Sequence, residues 1–243
     1  MESWGLSDQG CVRKQNQDAY DIVQLDRNTL LAVVCDGMGG AKSGNIASSL
    51  AADVFVQEVK RTWHGRMDRE KIDQMLRSAV KLANFTVFDQ AQQFEEFDGM
   101  GTTLVAVLVH GKKATIVNVG DSRAYAVTRD GIRQVTKDHS LVQLMVDRGD
   151  LTPETAKGYP GKNFITRAIG TEAVVICDMI HQDVAKGDYF LLCSDGLRNM
   201  MDDQEILFEI VHGVNKQHCC KRLLEIAKNR GAPDNVTSVL ILI

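Results

Sequence analysis

Residues 104–128 read LVAVLVHGKKATIVNVGDSRAYAVT. The stretch holds three short segments of strand character, Leu104–His110, Ala114–Val119 and Arg123–Thr128. Gly111-Lys112 separates the first two and Asp130-Gly131 follows the third, and both are hairpin signals. Strands joined this closely pair antiparallel, because a parallel crossover needs a dozen or more residues. Upstream, the apolar run Leu30–Cys35 stops at Asp36-Gly37 and reads as a buried strand and turn. A helical stripe follows in Ile46, Leu50 and Val54, with Ser43 as the expected N-cap. A longer helix begins near Asp68, carrying Ile72, Leu76, Ala79, Ala83, Val87 and Ala91 on one face. Downstream, the polar insert 138–163 reads as short helices, one starting at Thr152-Pro153-Glu154. Ile165–Ile169 and Tyr189–Cys193 read as strands, Gln204–Val211 and Gln217–Asn229 as helices, and Val236–Ile243 as a last strand. Asn215 is placed to cap the final helix and Gly231 to end it. Hairpin-linked strands with helices grouped between them predict an α+β fold of antiparallel sheets covered by helices, not a doubly wound parallel sheet.

The 243 residues carry 28 basic and 32 acidic side chains, a formal charge of −4. Apolar residues make up 44%, which suffices for a substantial core and excludes disorder as the main state. The mild acidic balance, with a pI near 5.9, argues against nucleic-acid or acidic-membrane partners. No apolar run approaches the ~18 residues that span a bilayer. The first ten residues, MESWGLSDQG, lack a secretory pattern. The six cysteines form no CxxC pair, so neither a zinc site nor a disulfide framework is expected, and a reduced, cytoplasmic setting is. With three prolines and no linker or repeat, residues 1–243 read as one domain.

Four aspartates end or follow apolar strands: Asp36 in VVCDGMGG, Asp121 in VNVGDSRAYAV, Asp195 in FLLCSDG and Asp234 in GAPDNVTSV. Asp18, in RKQNQDAY, precedes another apolar stretch. Carboxylates at strand ends sit on a rigid frame facing water, and several together repel unless cations lie between them. Hard divalent ions take oxygen ligands and retain waters. Singly, each of these positions reads as a turn; together they describe an oxygen-ligated metal site, and spacing alone does not prove that they converge.

The segments RKQNQDAY, VVCDGMGG, GMGTTLV, VGDSRAY, TKDHSL, TRAIG, LLCSDGL and PDNVTSVLI occur in this order from about Trp4 to Ile243. In order and spacing the series resembles the metal-dependent protein Ser/Thr phosphatases (the PPM, or type 2C, family), in their compact bacterial-like form. The resemblance implies a four-layer αββα sandwich, two central antiparallel sheets flanked by helices, with residues 138–163 as a flap over the site. It implies a metal-dependent protein serine/threonine phosphatase holding Mn²⁺ or Mg²⁺, in which a water or hydroxide bridging two ions attacks phosphorus directly without a phosphoenzyme. Asp36 resembles the carboxylate bridging both ions, Gly37 the residue offering its carbonyl to one, and Asp195 and Asp234 ligands of the other. Asp18 matches the residue that ties metal-bound water in place. Asp121, with Asp195, matches a position for a third ion. Arg13 matches the arginine that grips the substrate phosphate, a task suited to its planar fork. Phosphoproteins are the implied substrates and a Ser/Thr kinase the implied counterpart.

Three positions depart from the family pattern: Gln17 where many members have Glu, Met38 where eukaryotic members carry a His proposed as general acid, and Asn45 where Glu is common. Met38 cannot donate a proton, and a metal-bound water is the expected donor instead. His139, at the start of the insert, is a candidate proton shuttle set against the commoner structural role of a hydrogen-bonded histidine. Two other readings stand beside the phosphatase: a module that binds phosphoproteins without turnover, and a phosphatase acting on small phosphoesters. The retained Asp18, Asp36, Asp195 and Asp234 favour an enzyme.

Overall fold

Along residues 104–109 successive side chains alternate between two cores. Val105, Val107 and Val109 enter one apolar cluster, and Leu104, Ala106 and Leu108 enter another. Leu30, Ala32 and Val34 divide from Leu31, Val33 and Cys35 in the same way, so both faces of the strand are buried and it reads as an unbroken apolar run. The computed structural model describes residues 1–39, 43–156, 158–161 and 163–243. Gly40, which closes VVCDGMGG, and Lys157 and Lys162 of the insert lie outside them.

The chain opens with strands β1 (Glu2–Asp8), β2 (Asp18–Asp26) and β3 (Thr29–Met38), then helices α1 (Gly44–Thr62) and α2 (Arg69–Gln93). Strands β4 (Gly101–Thr102), β5 (Leu104–His110), β6 (Lys113–Val119), β7 (Arg123–Thr128) and β8 (Gly131–Gln134) follow. The insert supplies α3 (Leu141–Arg148) and α4 (Pro153–Ala156). Then come β9 (Asp178–Asp183), β10 (Tyr189–Cys193), α5 (Asp195–Arg198), α6 (Asp203–His212), α7 (Cys219–Asn229) and β11 (Val236–Leu242). One sheet has the order β2-β3-β5-β6-β9, with β4 beside β3, and the other has β1-β11-β10-β7-β8. Among the described residues every pairing is antiparallel.

Three apolar layers hold the αββα stack. Phe55 of α1 and Leu76 of α2 pack on the outer face of the first sheet. Leu197, Ile206, Ile210 and Leu223 from α5, α6 and α7 pack on the outer face of the second. Val107, Ile116, Phe190, Leu192 and Val239 fill the space between the sheets. The helix ends follow local chemistry. Asp68 caps α2 by accepting from the Lys71 amide, and Asp202 and Glu205 form a reciprocal capping box on α6. Among the described residues no helix is long and apolar enough to cross a membrane.

Three local expectations are corrected. Ile165–Ile169 is not a strand: it makes only the isolated bridges Ser140–Ile165 and Thr102–Ile169, with Thr166 and Arg167 exposed between them. Ser43 precedes α1 but does not cap it, because its backbone is helical and its hydroxyl donates to the Gly39 carbonyl. Asn215 does cap, but on a 3₁₀ turn, Lys216–His218, that leads into α7. Asp18–Asp26 and Asp178–Asp183 prove to be strands at the edges of the first sheet, and Glu2–Asp8 and Gly131–Gln134 at the edges of the second.

The layer under α1 carries a clear energetic expectation. Phe55 is fully buried, so Phe55→Ala removes about 3–5 kcal/mol in urea unfolding. Phe85→Ala, at a side chain 61% exposed, stays within about 0.5 kcal/mol of wild type.

Candidate metal centre

The two sheets bring the carboxylates to one end of the sandwich. Asp36 near the end of β3 lies directly opposite Asp18 at the start of β2. The Asp36 amide donates to Thr103 Oγ1 (2.9 Å), and its carbonyl accepts from the Thr103 amide and Thr102 Oγ1, both at 2.9 Å. Asp195 opens α5 directly after β10, and Asp234 stands just before β11, which pairs with β10. That junction is tight: a Cβ on Gly196 would lie 2.0 Å from the Asn235 carbonyl oxygen. Gly37 is similarly constrained, since a Cβ there would meet the Gly44 carbonyl oxygen at 2.0 Å. Glycine at both positions lets neighbouring backbones close around the site.

Asn235 fixes the loop that carries Arg13. Its Nδ2 donates to the carbonyls of Gln9 and Gln15, and its Oδ1 accepts from the Gln17 amide, each at 2.9 Å. Arg13, Gln17, Asp36, Gly37, Met38, Asn163, Asp121, Asp195 and Asp234 line a cleft of about 670 Å³. Asn163 and Ile165 bring the end of the insert to its rim.

The electrostatics of this cleft are adverse to a bare protein. Burial, then Asp18, Asp195, Asp121 and Asp234, push the Asp36 carboxyl well above the ordinary carboxylate range. Burial pushes Asp18 up to about 7, against hydrogen bonds from Thr237 Oγ1 (2.6 Å) and Ser194 Oγ (2.7 Å). Asp195 is pushed up to about 6, first by burial and then by Asp121. These groups repel because they face one another, which is the convergence that sequence spacing alone leaves open.

An oxygen-binding cation fits this set. The Oδ1 atom of Asp18 is buried without a hydrogen-bond partner among the described residues. An uncompensated buried acceptor is costly, and a cation or its water shell would satisfy it. The aspartates and the Gly37 carbonyl offer oxygen donors, as Mg²⁺ and Mn²⁺ prefer. Among the described residues no three Asp, Glu, His or Cys side chains close on one point as a finished ion cage. The arrangement suits ions that bind one or two carboxylates each and keep several waters.

Arg13 Nη2 lies 2.7 Å from Asp234 Oδ2, with the arginine side chain 51% exposed at the mouth of the cleft. Asp121 is buried, and its Oδ2 is held by Arg198 Nη2 at 2.7 Å. His139 is not among the residues lining the cleft. Its Nδ1 accepts from the Gly120 amide (3.0 Å), and its Nε2 lies 3.1 Å from Asp178 Oδ2. With both ring nitrogens engaged, its placement is that of a structural histidine.

Sequence reasoning missed Ser194 and Thr237 as the hydroxyls holding Asp18, Thr103 as the support of Asp36, and Arg198 as the partner of Asp121. Ser194, Thr237 and Thr103 do lie inside the quoted segments LLCSDGL, PDNVTSVLI and GMGTTLV, but nothing in those segments assigns their partners. Nothing in the local sequence marked Arg198.

Comparison with known proteins agrees with this geometry. A family model described as protein phosphatase 2C matches residues 12–226. The chain is 33% identical to the serine/threonine phosphatase Stp of Listeria welshimeri, covering 97% of this chain and 93% of that protein. It is similar to the crystal structure of the serine/threonine phosphatase Stp1 from Staphylococcus aureus, with a TM-score of 0.93, 37% identity and coverage of 100% of this chain and 94% of that one. It is also similar to the catalytic domain of the serine/threonine protein phosphatase PstP in complex with two manganese ions, with a TM-score of 0.83, 33% identity and coverage of 98% and 96%.

The raised carboxyls make metal-free stability fall with pH. An acid whose folded pKa exceeds its unfolded value near 3.8 stabilises the fold below that value, and the contribution is lost as pH rises through about 6 for Asp195 and about 7 for Asp18. In EDTA the protein melts several degrees lower at pH 8 than at pH 5.5. A loss of ~2 kcal/mol corresponds to roughly 4–8 °C at this size. Asp36→Asn narrows the gap, and saturating Mn²⁺ closes it for wild type but not for the variant. Differential scanning calorimetry reads each of these. A metal-free melting temperature that is flat from pH 5.5 to 8 contradicts the electrostatic reading.

Proposed function

We propose, from the premise that this chain belongs to the protein phosphatase 2C family, that it is a metal-dependent protein serine/threonine phosphatase working through the carboxylate cleft. The observation that carries this reading is the convergence of half-buried, mutually repelling Asp18, Asp36 and Asp195 beside Asp234. A phosphoprotein-binding module without turnover has no use for a set of carboxylates that weakens its own fold.

Asp36, the Gly37 carbonyl, Asp195 and Asp234 would hold a pair of Mn²⁺ or Mg²⁺ ions, with Asp18 holding water beside them. When bound, such a pair lowers the pKa of a shared water toward neutrality and screens phosphoryl charge. Asp18 is held by Ser194 and Thr237, so its remaining oxygen stays fixed toward its surroundings without rotamer freedom. Arg13 stands at the mouth with its guanidinium half exposed and binds two oxygens of the incoming phosphate through its fork. With its loop pinned by Asn235, it orients the phosphorus for in-line displacement of the seryl or threonyl oxygen. No histidine lines the cleft among the described residues, and Met38 stands at its wall. The leaving oxygen therefore takes its proton from water.

The whole chain, 1–243, acts as one catalytic domain on this reading, and the insert 138–163 acts as a flap, since Asn163 and Ile165 meet the rim. The physiological setting that fits is the cytoplasm, where the enzyme reverses the work of a Ser/Thr kinase on shared phosphoproteins.

Phosphate release from a phosphothreonine peptide tests the reading. Turnover appears with Mn²⁺ or Mg²⁺, vanishes in EDTA, and falls by at least about 10²-fold in Asp36→Asn, since even groups behind metal ligands cost 10–100-fold. Arg13→Ala raises KM more than it lowers kcat. Turnover that persists after thorough chelation, or in folded Asp36→Asn, refutes the metal-dependent mechanism.

A further inference from the structure

The family resemblance makes Asp121, with Asp195, a site for a third ion, and the structure places a fixed cation there already. Arg198 Nη2 lies 2.7 Å from Asp121 Oδ2, with both side chains largely buried at 14% and 6% exposure. Arg198 is the last residue of α5 and Asp195 the first, three positions apart, so both project from one short helical turn at the cleft. Its carboxylate contact is Asp121, and Asp195 opens the same short turn.

Arg198 approaches from outside the catalytic cleft. It lines a neighbouring cavity together with Arg123, Asp138 and Asn199, whereas Asp121 faces the catalytic cleft. Around it the charges interlock. Arg123 is engaged by Asp138 through several contacts of 2.8 to 3.2 Å, leaving Arg198 as the cation whose carboxylate contact is Asp121. The Nε of Arg198 has no partner among the described residues, so the side chain is held here chiefly by Asp121. An ion entering at Asp121 and Asp195 would share Asp121 with a largely buried guanidinium, which cannot be deprotonated, and the two cations would repel at short range.

We infer that Arg198 is a positioning residue that supplies, from within the protein, the positive charge a third metal ion would bring to Asp121 and Asp195, so that the chain binds two divalent ions and not three. The inference rests on the phosphatase reading of the cleft and concerns only its ion count. A tethered cation does not dissociate, so the charge at Asp121 is present at any metal concentration.

Mn²⁺ counting by equilibrium dialysis, with free Mn²⁺ read by electron paramagnetic resonance, tests this without reference to turnover. Wild type binds two ions. Arg198→Lys keeps the charge and also binds two. Arg198→Gln keeps a donor but removes the charge, and gains a third, weaker ion that Asp121→Asn added to the same chain abolishes. Three ions in wild type, or two in folded Arg198→Gln, overturns the inference while leaving the two-ion site intact. Should Arg198→Gln not fold, Asp121→Asn in the wild-type background decides: a count unchanged at two supports the inference and a fall from three to two overturns it. No bound Mn²⁺ in wild type overturns the phosphatase reading itself, and the inference with it.

Discussion

The structure is organised around a repulsion. Asp18, Asp36 and Asp195 are half-buried near one another, with buried Asp121 close by, at the end of a sandwich whose strands leave them little freedom to separate. Asp18 and Asp36 are locked opposite each other by strand register, and Asp195 and Asp234 by the close approach of Gly196 to the Asn235 carbonyl. Relieving the repulsion by moving apart would mean unpairing strands whose opposite faces both lie in apolar cores. The fold therefore stores an electrostatic demand that hard cations answer, and this demand is what makes the cleft chemically useful. Stability is given up at the site and recovered in the three apolar layers behind it.

Supporting groups divide the remaining work. Ser194 and Thr237 immobilise one oxygen of Asp18, and the backbone and hydroxyls of Thr102 and Thr103 immobilise the main chain of Asp36. His139 clamps Gly120, donating its amide to the Gly120 carbonyl and accepting the Gly120 amide on its ring, so the residue preceding Asp121 is held from both sides. Arg198 then neutralises Asp121. Groups that position a site in this way are as necessary as its ligands, because a misplaced ligand loses the geometry on which catalysis depends.

What the sequence made legible follows from burial. The six interior strands, β3, β5, β6, β7, β10 and β11, announce themselves as apolar runs because both of their faces are covered. Of the five strands it left unread, the two-residue β4 lies beside β3, and β1, β2, β8 and β9 are the edges of the two sheets. They are half exposed, and segments such as Asp178–Asp183, DMIHQD, carry too few apolar residues to show a period. Ile165–Ile169 failed in the opposite sense: an apolar-flanked segment looked like a strand but touches its neighbours at single bridges. At the site, the aspartates were legible because they sit in motifs at strand ends. Ser194, Thr237 and Arg198 were not, because their roles depend on partners 176, 219 and 77 residues away.

The central claim is that the carboxylate end of this sandwich is a two-ion centre. Crystals grown with Mn²⁺ and measured at the manganese absorption edge test it most directly. Two anomalous peaks are expected in the cleft, both within direct coordination distance of Asp36, with Arg198 still on Asp121. An absence of peaks at saturating Mn²⁺, or peaks that leave Asp36 unliganded, would contradict it.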